Sequence, residues 1–107
     1  VTRGDVVLVA MLGDDGKPRP AVVVQHEDFD QIPSVVVLPL TTELRDIDVV
    51  RIAVEPTSDN GLRHLSQIMV DKITAVAPRR IGSRIGRLSP DEMTAVNRAL
   101  AIFLGIV

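Results

Sequence analysis

A mostly-β single domain spanning residues 1–107, closed by one C-terminal helix, is predicted by three features of the chain. Short runs of β-branched residues are separated by turn residues, which is the pattern of strands rather than of long helices. A helix-start signature at Ser89-Pro90-Asp91-Glu92 is followed by apolar residues at helical spacing. No repeat, linker or low-complexity tract divides the chain, so five to seven short strands and the helix must share one small barrel.

In order, Val6–Leu12 is an apolar run read as the first strand, ending at the turn signal Gly13-Asp14-Asp15-Gly16. The second strand is expected to begin at Pro20. A polar, acidic stretch over 26–33 precedes a third strand over 34–40, in which Pro39 suggests a sheet edge or a bulge. Val49–Val54 reads as the fourth strand, and Asp59-Asn60-Gly61 as a tight turn in the loop that follows. Gln67–Ala77 has enough Ile, Val and Met for one or two more strands. Ile81, Ile85 and Leu88 fit a helical turn or a strand equally. The final helix is expected over about 90–104, with Ser89 as N-cap, Pro90 at the first position, and Met93, Val96, Leu100, Phe103 and Leu104 on its apolar face.

Composition narrows the chemistry. Phe29 and Phe103 are the only aromatics, so the core is built from Val, Ile, Leu and Ala, and base recognition by stacked aromatics has almost no residues to use. The absence of cysteine removes disulfides, zinc-thiolate sites and thiol nucleophiles. No membrane-length apolar segment or signal peptide is present, which predicts a soluble cytoplasmic protein. A net charge of -2 provides no general attraction for nucleic acid, so any such contact needs a local patch. Arg79, Arg80, Arg84 and Arg87, with no acid among them, form one such patch, which is either a solvated basic loop or a seat for a polyanion or acidic peptide.

Two segments join β-branched runs to polar groups. Arg19, between Pro18 and Pro20, enters one strand, while Thr41 and Thr42 leave another. If those strands pair, a guanidinium fork meets two hydroxyls, a combination suited to a phosphodiester. The bland reading is a surface Arg and threonines that satisfy a turn. His26 and His64 lack a spaced partner for general-base work. Asp14, Asp15, Glu27, Asp28 and Asp30 lack the spacing of a calcium loop, so no metal or cofactor is expected. Arg3-Gly4-Asp5 matches an adhesion tripeptide by coincidence.

The ordered series Arg3-Gly4-Asp5-Val6-Val7, Arg19-Pro20-Ala21-Val22-Val23-Val24-Gln25, Val37-Leu38-Pro39-Leu40-Thr41, Gly61-Leu62, Ser66-Gln67-Ile68 and Ile85-Gly86-Arg87-Leu88-Ser89 resembles the MazF/PemK toxin endoribonucleases over almost the whole chain. The resemblance implies an SH3-like barrel, a homodimer, metal-independent cleavage of single-stranded RNA and inhibition by a cognate antitoxin. It implies that Arg19 and Thr41 are catalytic. Lys17, Thr42 and Gln67 are then candidates for substrate contact, and Arg84 and Arg87 for antitoxin contact.

The chain departs from the family pattern in its short first loop, which lacks a Gly-x-Glu-Gln stretch and with it a Glu that assists proton transfer. A sister family on the same fold, the CcdB-type poisons, engages DNA gyrase through a terminal Trp-Gly-Ile. Here Leu104 replaces the aromatic before Gly105-Ile106, and an aliphatic side chain neither stacks nor donates as an indole does. A gyrase poison, or an inactive barrel that only binds a partner, is therefore the alternative to a nuclease.

Overall fold

The computed structural model describes residues 1–11, 17–47 and 49–107. The expected turn at 13–16 lies outside them, as does Leu12 at the end of the first apolar run. Among the described residues seven strands form one antiparallel sheet: β1 (Asp5–Ala10), β2 (Pro18–Val23), β3 (Val35–Thr41), β4 (Arg51–Val54), β5 (Ser66–Met69), β6 (Thr74–Val76) and β7 (Ile81–Arg87). Their order across the sheet is β4-β5-β3-β2-β1-β7, with β6 also paired to β3. The helix α1 (Pro90–Phe103) follows. The expected mostly-β chain with a terminal helix is what folds, and the Ile81, Ile85, Leu88 region resolves as a strand.

The uninterrupted valine runs have a direct structural reason: both faces of the central strands are buried, so no polar alternation is required. On one face Val6, Val22, Leu38, Leu40 and Ile68 pack with Val96 and Ala99 of α1. On the other, Val7, Val9, Ala21, Val23 and Val37 form a second cluster that Val76, Met11, Val35 and Ile81 complete.

Pro39 is buried, and β3 is an interior strand, not the edge or bulge that a proline suggests. On one flank β2 pairs Ala21 with Pro39. On the other, β6 covers Val35 to Val37 and β5 covers Leu40 and Thr41. Pro39 thus falls in the gap where β3 changes partner, a place where a missing N–H costs least. The fourth strand is also shorter than expected, beginning at Arg51, because Val49 lies in the left-handed region at φ 72. A β-branched residue there cannot continue a strand.

The Asp59-Asn60-Gly61 turn forms as expected and is pinned from inside. Asn60 is fully buried; its Oδ1 accepts from the amides of Thr57 and Leu62, and its Nδ2 donates to the Glu55 carbonyl. Gly61 has φ +71, and a Cβ there would collide with the Ile85 carbonyl. A Cβ on Gly86 would strike the backbone of Asp59 and Asn60. Only glycines allow this loop to lie directly on β7.

The helix carries the expected capping box, Ser89 Oγ accepting from the Glu92 amide while Glu92 Oε1 accepts from the Ser89 amide. Its inner face is Met93, Val96, Ala99 and Leu100. Phe103 and Leu104, expected on that face, are 44% and 51% exposed, since the helix residues packed against the core end at Leu100.

Candidate active site

Register brings the polar ends of β2 and β3 together. Arg19 stands opposite Val9 on the β1 side, and Ala21 opposite Pro39 on the β3 side, so the start of β2 runs beside the end of β3. There the sheet opens into a hollow of about 510 Å³, lined by Arg19, Pro20, Pro39, Leu40, Thr41 and Thr42 from these strands. Met11, Glu43, Ser66, Met69, Lys72 and Thr74 complete it. Arg19, Thr41 and Thr42 therefore share the wall of one hollow.

Thr41 is oriented as well as placed. Its Oγ1 accepts a hydrogen bond of 3.0 Å from the Glu43 amide, which occupies a lone pair and leaves the hydroxyl proton free to be donated. The turn-satisfying role and the site role are thus the same arrangement. Ser66 also lines the hollow, but its Oγ donates to the His64 carbonyl.

The other expected contacts distribute differently. Thr42 is exposed on the hollow's wall, whereas Lys17 is exposed just ahead of β2 and does not line it. Gln67, expected at the substrate, spends its amide on the backbone of Arg45. Its Oε1 accepts from the Arg45 N–H at 2.9 Å and its Nε2 donates to the Arg45 carbonyl at 2.8 Å. Since Gln67 pairs with Thr41 across β3 and β5, this grip fixes the loop that leaves β3.

Arg84 and Arg87 lie away from this hollow, on β7, where both bind the carboxylate of Asp5 at 3.0 and 2.9 Å. Asp5 is 4% exposed and also accepts from the Thr2 amide. Burial pushes its carboxyl up, but the Thr2 amide and the two guanidiniums outweigh that, leaving it below the ordinary carboxylate value. Arg80 donates to the Ala10 carbonyl. Three of the four arginines, Arg80, Arg84 and Arg87, are accordingly tied into the fold rather than held in a solvated loop. The Arg3-Gly4-Asp5 tripeptide is explained the same way, with Asp5 buried and Arg3 donating to the Val24 carbonyl.

Sequence reasoning missed Glu43, Met69 and Lys72, which line the hollow from the loop after β3, from β5 and from the short 3-10 turn Val70–Lys72. That turn is anchored by Arg51, whose Nε and Nη2 bind both oxygens of Asp71 at 2.9 and 3.1 Å. Hydrogen bonding to Arg51 holds the Asp71 carboxyl below its ordinary value against the effect of burial. The signal available in sequence was a bare Asp71-Lys72 pair, uninformative until its neighbours are known.

Among the described residues, no cluster of three or more His, Asp or Glu is arranged to hold a metal ion, and no helix is long and apolar enough to cross a membrane.

Relatives share both this fold and its length. The probable endoribonuclease MazF of Mycolicibacterium smegmatis is 43% identical over 105 residues, covering 97% of this chain and 96% of that protein. Among solved structures, an endoribonuclease in complex with its cognate antitoxin, from a mycobacterial species, superposes with a TM-score of 0.84 at 29% identity, covering 100% of this chain and 97% of that one. The Mycobacterium tuberculosis toxin MazF-mt6 shares the fold at a TM-score of 0.78 and 24% identity, over 94% of this chain and 96% of that one. The family model of PemK-like, MazF-like toxins of type II toxin-antitoxin systems matches residues 2–104, and with that match the chain belongs to this toxin family.

Proposed function

We propose that this MazF-family toxin endoribonuclease cuts single-stranded RNA at short sequences, without a metal ion, by internal transesterification. The observation that carries the reading is the shared hollow of Arg19 and Thr41, with the Thr41 hydroxyl turned into a donor by the Glu43 amide. The ribose 2′-oxygen attacks the adjacent phosphorus and the bond from phosphorus to the 5′-oxygen breaks. The products are a 2′,3′-cyclic phosphate and a 5′-hydroxyl, whose oxygen takes up a proton from water as it leaves. Arg19 stabilises the charge that grows on the phosphoryl oxygens, and Thr41 orients one of them. Glu43 is the carboxylate among the described lining residues to receive the 2′-hydroxyl proton, in place of the Glu that the short first loop lacks.

The same reading gives the toxin a cognate antitoxin, a homodimeric state and the cytoplasm as its place of action. Arg84 and Arg87 face one buried carboxylate with two guanidiniums, each side chain about half exposed at 53% and 49%. The surplus positive charge suits an acidic antitoxin segment. Relatives favour the nuclease over the gyrase poison.

One incubation tests the chemistry. Purified protein should cleave RNA in excess EDTA, leave 2′,3′-cyclic phosphate ends, and fail on the same RNA with a single deoxyribose at the cut position. Cleavage of the deoxy substrate, or 3′-hydroxyl ends formed only with magnesium, overturns the mechanism.

A further inference from the structure

The hollow that holds Arg19 and Thr41 adjoins a second one, of about 330 Å³, which reaches Arg45, Ile47 and Arg51. The two share Thr41, Glu43, Met69 and Lys72 as a common wall. We propose that Lys72 binds the substrate phosphate next to the one held by Arg19 and Thr41, on the side leading toward Arg45. The inference rests on the nuclease reading and adds the direction in which the strand leaves the site.

The charges around the shared wall single out Lys72. Arg51 is committed to Asp71 through both of its bonding nitrogens, and Arg45 Nη2 binds Glu43 Oε1 at 2.8 Å. Lys72 is exposed, and no ion pair or hydrogen bond engages its ammonium among the described residues. Its backbone is nevertheless held fast. Val70 is fully buried, and Asp71 is gripped by Arg51, whose side chain is only 7% exposed. A flexible four-carbon stem springing from a fixed turn carries a compact point charge, which suits a phosphate on a mobile strand better than a rigid fork would. The competing role is structural, since the Lys72 charge also helps hold the neighbouring Asp71 carboxyl low.

The experiment first maps a cut site on a long RNA, then measures binding of an oligonucleotide of that sequence carrying deoxyribose at the cut position. Lys72→Ala should weaken binding about tenfold near physiological salt and make the dependence of log affinity on log salt shallower by about 0.7, the value for one phosphate contact on a single strand. Lys72→Arg should keep the wild-type slope. Unchanged affinity and slope in Lys72→Ala, with wild type cutting RNA normally, overturns the assignment of Lys72 alone. A weaker affinity with an unchanged slope and a lowered melting temperature assigns Lys72 to bracing Asp71 and also overturns it. A wild-type protein that neither cuts RNA nor binds the oligonucleotide removes the nuclease reading and this inference with it.

Discussion

Under the proposed mechanism, Arg19→Ala takes a charged donor from the developing oxyanion, whereas Thr41→Val takes a neutral one. The two losses should differ accordingly. Arg19→Ala is expected to lower kcat by a factor of about a hundred or more, equivalent to about 3 kcal/mol of transition-state stabilisation. Thr41→Val is expected to cost about ten- to a hundredfold. Single-turnover cleavage with each variant checks both, and a harmless Thr41→Val beside a severe Thr42→Val would move the catalytic hydroxyl by one position. The placement of these two residues beside one hollow was legible in the sequence because each stands at the polar end of a valine-rich run. Asp5 and Lys72 were not, since what they do depends on neighbours brought in by strand pairing: Asp5 meets Arg84 across 79 positions of sequence.

Among the elements, the loop after β3 depends most on a side chain outside it. Gln67 of β5 binds both the N–H and the carbonyl of Arg45, and Arg45 in turn holds Glu43, whose amide orients Thr41. Gln67→Ala should therefore cost activity out of proportion to stability. We expect cleavage to fall about tenfold while unfolding free energy changes by about 1–2 kcal/mol, the net worth of two exposed amide bonds. Gln67→Glu keeps the acceptor and loses the donor, and should fall between. Parallel cleavage assays and urea melts check the ordering. The start and inner face of the helix, by contrast, were legible, because its capping box and apolar spacing are local signals, whereas the exposure of Phe103 and Leu104 in its last turn was not. The length of β4 and the interior position of β3 were not, because an unusual φ at Val49 and a change of strand partner at Pro39 leave no local signature.

For the whole molecule, acid is the informative stress. Asp5 joins the N-terminal segment to β7, and Asp71 joins a 3-10 turn to β4; both carboxyls lie below their ordinary value. A carboxyl lowered in the folded state contributes stability that is complete above its unfolded value, about 3.9, and is lost as pH falls from there through the folded value. The melting temperature should hold from neutral pH to about pH 5 and then drop toward pH 3. Asp5→Asn should melt lower at neutral pH and show a shallower acid decline, since its share is already gone. Scanning calorimetry over that range checks both, and an acid decline as steep as that of wild type would remove Asp5 from the account.

The partner change at Pro39 has a further consequence. The β4 and β5 hairpin joins the rest of the sheet through the last two residues of β3, Leu40 and Thr41, beyond a proline nitrogen that can make no ladder bond. Arg19 belongs to one side of that joint, while Thr41 closes it and Met69 comes from the other. A strand seated in the hollow therefore spans two portions of the sheet, and by binding only their docked arrangement it would act as a clasp, so that substrate itself would tighten the part of the molecule that holds it.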